Sequence, residues 1–216
     1  LNGRPTNKIA GNLNQATIMT PPKDPELKIR LILEAARAVL STQGYAGTTI
    51  NLVATKAGVS RGLLHYYFKN KEEMLARVLE ANMETSIVLS QNIFRQSTCA
   101  KDLSNSFIEA LRHVVKEDPA FFHLFFEGWA VARQSQLIDQ RLKSIYGLFR
   151  QTVYQGLIEA SRQGVIRPSL SLKGLAALIT GIMDGMGLQL VTEPDLADNE
   201  EVWDMAKEGL RNLLGN

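Results

Sequence analysis

With one cysteine in 216 residues, Cys99, the chain cannot close an internal disulfide or assemble a cysteine-based zinc cluster. Cys99 itself reads as inert. Three histidines, His65, His113 and His123, lack the spacing of metal ligands. No Ser/His/Asp or Cys/His set and no pair of carboxylates stands out, so the chain does not read as an enzyme and needs no cofactor or metal. Gly181-x-x-x-Gly185-x-Gly187 follows no strand, which excludes a nucleotide loop. Long hydrophobic runs are nearly missing too. Leu172–Val191 is about long enough to span a bilayer, but it carries Lys173, Asp184 and four glycines, so it reads as a helix of a soluble protein. With no signal peptide recognisable, the expected compartment is the cytoplasm.

Net charge is small, +2, but unevenly spread. Residues 1–76 hold ten basic and five acidic side chains, a balance of +5, which leaves −3 for the remainder. That asymmetry points to a polyanionic partner at the N-terminal end. Residues 1–22, rich in Asn, Thr, Pro and Gly, read as a flexible arm or a non-native remnant. From Pro25 onward the periodicity is helical, with Leu27, Leu31, Ala35 and Val39 in one row and Ile32, Ala36 and Leu40 in the next.

The most informative stretch runs from Gly44 to Leu75. Thr48 or Thr49 can cap a helix whose apolar face is Ile50, Val53, Ala54 and Ala57. Gly58 suits the left-handed turn that ends it, and Ser60 is a good cap for the next helix. In that helix Leu64 is expected to point inward and Arg61, Gly62, His65 and Tyr66 outward, with Phe68 packed beneath. Asn70 and Glu73 form a capping-box-like start for a further helix. Two short helices about a glycine turn, with a guanidinium, a close-approach glycine, an imidazole and a phenol on the second, make a helix-turn-helix suited to groove edges and phosphates.

This segment resembles the DNA-binding domain of the tetracycline-repressor family of bacterial transcriptional regulators. The resemblance rests on Ile32-Leu33-Glu34-Ala35-Ala36, Gly44-Tyr45, Thr48-Thr49-Ile50, Ala57-Gly58-Val59-Ser60, Gly62 and Tyr67-Phe68-Lys69-Asn70-Lys71-Glu72-Glu73-Met74-Leu75. It implies that Thr49 contacts a phosphate, that Arg61 and Gly62 lie near bases, and that Lys71 binds a phosphate. His65, Tyr66 and Tyr67 match an aromatic run usually ordered Tyr-Tyr-His; here the histidine comes first.

The resemblance also implies an all-α fold of about nine helices. A helix-turn-helix DNA-binding domain is expected over residues 23–75, and a larger domain for ligand binding and dimerisation over 76–216. In the latter, Phe122, Phe125, Phe126 and Trp129 recur at helical spacing beside Glu127 and Arg133. Such a stripe is first of all core. The expected ligand-lining residues are Phe107, Phe122, Phe126, Trp129, Tyr146, Phe149 and Met183, with His113 and His123 as candidate polar anchors. The last helices offer an apolar band for a two-fold interface: Leu175, Ile179, Ile182, Met186, Val202 and Met205. The reading is thus a homodimeric regulator, a repressor released from a pseudo-palindromic double-stranded operator by an apolar or aromatic small molecule, cationic or not. The alternative is a DNA-binding regulator controlled by protein partners.

Overall fold

The computed structural model describes residues 24–215, so the expected arm over residues 1–22 lies outside the described part. Among the described residues there are ten helices and no strand: α1 Pro25–Gly47, α2 Ile50–Ala57, α3 Arg61–Tyr67, α4 Lys71–Gln96, α5 Ala100–Glu117, α6 Ala120–Ala132, α7 Gln136–Arg162, α8 Leu172–Thr192, α9 Pro194–Ala197 and α10 Glu200–Leu214. The helix beyond the expected nine is α9, a single turn with Pro194 at its first position.

Local chemistry sets the helix ends. Asp24, Thr49, Ser60, Asn70, Ser135, Ser171 and Asn199 each accept a backbone N–H of the first turn that follows. Of the two threonines that could cap α2, Thr49 does so; Thr48 is buried and its hydroxyl donates to the Gly44 carbonyl at 2.7 Å. Gly44 interrupts α1: its φ of 64° and ψ of 174° are non-helical, and they turn the Tyr45 N–H out of the helix.

Packing then assembles two layers that share α4. Helix α1 packs on α4, α2 on α1 and α3 on α2, while α7 runs along α4. Helix α6 lies between α7 and α1, and α8 closes the other side of α7. Helices α5 and α10 pack together around Trp203, which is fully buried. The boundary expected at residues 75/76 falls inside α4, which feeds Met74, Leu75, Val78, Leu79 and Met83 into one continuous apolar core. One row on α1 is only half buried: Ala35 and Val39 are interior, but Leu27 and Leu31 stay 41% and 40% exposed.

Candidate nucleic-acid interface and buried cavity

Helix α3 is held from below and bare above. Gly58 adopts the left-handed conformation, φ 65° and ψ 31°, and the Ser60 hydroxyl accepts the Leu63 N–H at 3.2 Å. Leu64 and Phe68 are fully buried. Arg61, Gly62, His65 and Tyr66 face outward, and Tyr66 is 82% exposed. Arg61 Nε donates to His65 Nε2 at 3.3 Å, so the two side chains form one unit across a helical turn. Tyr67 is partly buried, its ring edge-on to Tyr66. A Cβ at Gly62 would meet no atom of the protein within 4 Å. Nothing inside the fold therefore requires glycine there. Thr49, although exposed, spends its hydroxyl on capping α2.

Lys71 sits differently from a free phosphate-seeking lysine. Its ammonium donates to the Tyr45 carbonyl at 2.9 Å and lies 4.3 Å from the centre of the Tyr45 ring, which ties the start of α4 to the end of α1. The start of α4 follows the expected pattern: Asn70 accepts from Glu73 N–H at 2.8 Å, and the Glu73 carboxylate accepts from the backbone of Lys69.

Two ties that sequence reasoning missed join this part to α6 and its approach. The Glu127 carboxylate accepts the Tyr45 N–H that the break at Gly44 exposes, at 3.2 Å. Arg37 makes a two-pronged contact with Asp118, at 2.6 and 2.5 Å, and also donates to Asn82 on α4 at 2.9 Å. A glycine in the left-handed region marks the first tie, since a Cβ at Gly44 would approach Glu127 Oε1 to 2.9 Å. The second carries no local signal, because its partners lie far apart in the chain.

On the far side of α6, between α4, α5, α7 and α8, lies a cavity of about 350 Å³. It brings together all seven expected lining residues: Phe107, Phe122, Phe126, Trp129, Tyr146, Phe149 and Met183. The rings pack in tilted and edge-on pairs, with Trp129–Tyr146 centres 5.6 Å apart and Phe125–Tyr146 5.9 Å apart. Trp129, 48% exposed, forms the rim. The histidines do not serve as its anchors: His113 and His123 are exposed and line other surfaces, because both fall on the outer sides of α5 and α6.

The polar end of the cavity is Asp184, with Tyr146 and Trp129. The indole N–H donates to the Tyr146 hydroxyl at 3.4 Å, and that hydroxyl donates to Asp184 at 3.5 Å. Burial pushes the Asp184 carboxyl up to about 6, although the Tyr146 hydrogen bond and nearby Arg150 pull the other way. Burial and the adjacent carboxylate push the Tyr146 phenol up to about 12, so it remains a neutral donor. The folded carboxyl thus binds its proton more tightly than the unfolded one. Wild-type stability falls as pH rises through the interval from about 4 to 6 and stays lowered above it. Asp184→Asn is therefore expected to raise Tm at about pH 7.5, by roughly 2–8 °C after discounting for the water that still reaches the group. The gain should shrink to nothing near pH 4. Thermal melts of both proteins across that range check this; an equal shift at both ends would show that the charge is not the cause.

The expected interface band is split by the fold. Leu175 and Ile179 are buried within the protomer and cannot face a second copy, because α8 turns them toward α7 and α5. Ile182, Met186 and Val202 are partly buried, and Met205 is 63% exposed. Leu178 joins them on the outside of α8, whereas Leu188, also half exposed, lines the cavity with Met183 and Asp184. Helix α8 is also the one helix among the described residues long and apolar enough to cross a membrane, but it packs along α7.

Comparison with known proteins agrees with this geometry. The chain is 28% identical over 188 residues to YfiR, an HTH-type transcriptional regulator of Bacillus subtilis, covering 85% of this chain and 90% of that protein. It is 25% identical over 163 residues to the fatty acid metabolism regulator protein of the same organism, covering 75% and 82%. Among solved structures, Salmonella enterica GusR superposes with a TM-score of 0.71 at 20% identity, covering 90% of this chain and 99% of that one. Bacillus subtilis FadR, solved with stearoyl-CoA, gives 0.70 at 20% identity, covering 86% and 97%. Residues 32–78 match the bacterial regulatory proteins of the tetR family, and residues 100–215 match the C-terminal part of BetI-type transcriptional repressors. These two matches, one containing the outward helix α3 and the other spanning more than half of the chain, establish that the chain belongs to the tetR family of bacterial transcriptional regulators.

Proposed function

We propose that this regulator is a homodimeric repressor that sets α3 of each subunit into successive major grooves of a pseudo-palindromic operator and is released when a small molecule fills the aromatic cavity. The observation that carries the reading is α6. One end of that helix region holds Asp118, tied to α1 through Arg37; its middle holds Glu127, tied to the Tyr45 backbone; and its opposite side is the cavity wall. A ligand that shifts α6 must shift α1 and with it the spacing of the two α3 helices, and it weakens DNA binding by the difference in its affinity for the two arrangements. Half-sites about 34–36 Å apart fit such a dimer.

Arg61 and Gly62 are assigned to base readout, and Tyr66, Tyr67, His65, Thr49 and Lys71 to register on the backbone. Lys71 does so after exchanging its Tyr45 carbonyl for a phosphate, or by aiming the α4 N-terminus. Dimerisation is assigned to Ile182, Met186, Val202 and Met205 with Leu178. The test is selection of bound duplexes from a random pool with the wild type and Arg61→Ala at near-physiological salt. Enrichment of a two-fold symmetric site is expected, with preference at one base pair per half-site blurred by the mutation, a discrimination worth about 1–3 kcal/mol. Uniform weakening at every sequence would reduce Arg61 to a phosphate contact, and absence of any enriched site would remove the operator-reading role.

A further inference from the structure

The walls of the cavity specify charge as well as shape. Among the described residues that line it there is no lysine, arginine or histidine, and Asp184 is the one carboxylate. Its neighbours are rings, whose faces are electron-rich. The only hydrogen bond to Asp184 from the described residues is the 3.5 Å contact from Tyr146, near the limit at which such a contact counts. Most acceptor capacity of the carboxylate, which lines the cavity, is therefore left unused by the described residues. Arg150 acts on it from an exposed position outside the lining, where solvent screens it.

A carboxylate half-withdrawn from water costs free energy unless it meets a cation. An anionic ligand would meet a second negative charge and no basic partner. A neutral one would seal Asp184 away from water without compensation. A cation offers the missing charge, and aromatic rings within about 6 Å attract it as well. We propose that the cavity binds an organic ammonium ion with an aromatic or short alkyl body, its charge held by Asp184 and the rings of Trp129 and Tyr146. This rests on reading the cavity as the effector site and narrows that reading to one ligand class. The preference is opposite to that suited to a fatty acyl chain with an acidic head group.

Three ligands that differ only in the head group test it: 4-phenylbutylamine, 4-phenylbutanol and 4-phenylbutanoate, titrated calorimetrically into the full chain near pH 7.5. The amine is expected to bind roughly tenfold more tightly than the alcohol, with the carboxylate weakest. In Asp184→Asn the amine-to-alcohol ratio should fall to about one while the alcohol affinity holds. Trp129→Leu, at the half-exposed rim, should weaken the amine more than the alcohol. Tyr146→Phe, which keeps the ring, should retain the preference. An alcohol or carboxylate that binds as tightly as the amine overturns the ammonium assignment and leaves the effector site standing. So does a preference that survives in Asp184→Asn. If none of the three binds, the assignment and the effector-site reading fall together.

Discussion

Phe68→Ala is expected to cost about 3–5 kcal/mol and to remove operator binding, although the side chain is wholly internal. Phe68 ends α3, and its N–H closes the helix on the Leu64 carbonyl at 2.9 Å. With Leu64, Val53, Ile32 and Met74 it is one of the few large side chains fully buried around the helix-turn-helix. A unit of about 50 residues buries too little surface to spare one of its main anchors. The cavity left behind would let α3 tilt or fray, and the Arg61–His65 unit would lose its platform. Fluorescence anisotropy with operator DNA and calorimetric titration of a cavity ligand separate the two regions. DNA affinity should collapse while ligand affinity changes little, because the cavity walls come from α4 to α8. Phe68→Leu should recover much of the loss. Operator affinity within twofold of wild type for Phe68→Ala would mean that α3 is held chiefly by its caps.

How far the sequence carried this picture depends on the range of each signal. Caps and turns are local, so Gly58, Ser60 and Asn70 were legible to the residue and the cap of α2 to one of two threonines. The aromatic stripe of α6 was legible because 3.6-residue periodicity sorts residues by face, while its part in a cavity came only from the family resemblance. Periodicity does not say which neighbour each face meets. Helix α8 is apolar nearly all round, so its inward residues Leu175 and Ile179 could not be told from its outward Leu178 without α5 and α7 in place. Long-range polar partners were the least legible. Arg37–Asp118 and Tyr45–Glu127 join residues about 80 positions apart, and only the fold sets them at hydrogen-bond distance. Asp184 was visible as one acid in an apolar helix; that it shares a cavity with aromatic rings from α5, α6 and α7 was not.

Trp203→Ala is expected to produce a loss of similar size, about 3–5 kcal/mol or roughly 6–20 °C in Tm, but with a different signature. Trp203 is fully buried where α10 packs on α5. Its indole N–H donates to the Ala197 carbonyl at 2.8 Å, which fixes the turn from α9 into α10. Arg112 lies 5.6 Å from the ring centre and pairs with Glu200, while Lys116–Asp198 at 2.9 Å and Lys207–Glu109 at 2.5 Å flank the same contact. These ion pairs look like the fastening, yet at least one partner of each is largely exposed, and such pairs add little in screened solvent. The ring instead supplies large buried area and a hydrogen bond that no water would replace. Trp203→Phe should keep most of the packing and lose about 1 kcal/mol through the unpaired Ala197 carbonyl. Arg112→Met should lower Tm far less than Trp203→Ala. Because α10 also carries Val202 and Met205, the alanine variant should weaken self-association, which sedimentation at several concentrations can read, while Phe68→Ala should not. If Arg112→Met proves the more damaging of the two, the charged rim rather than the buried indole holds α10 in place.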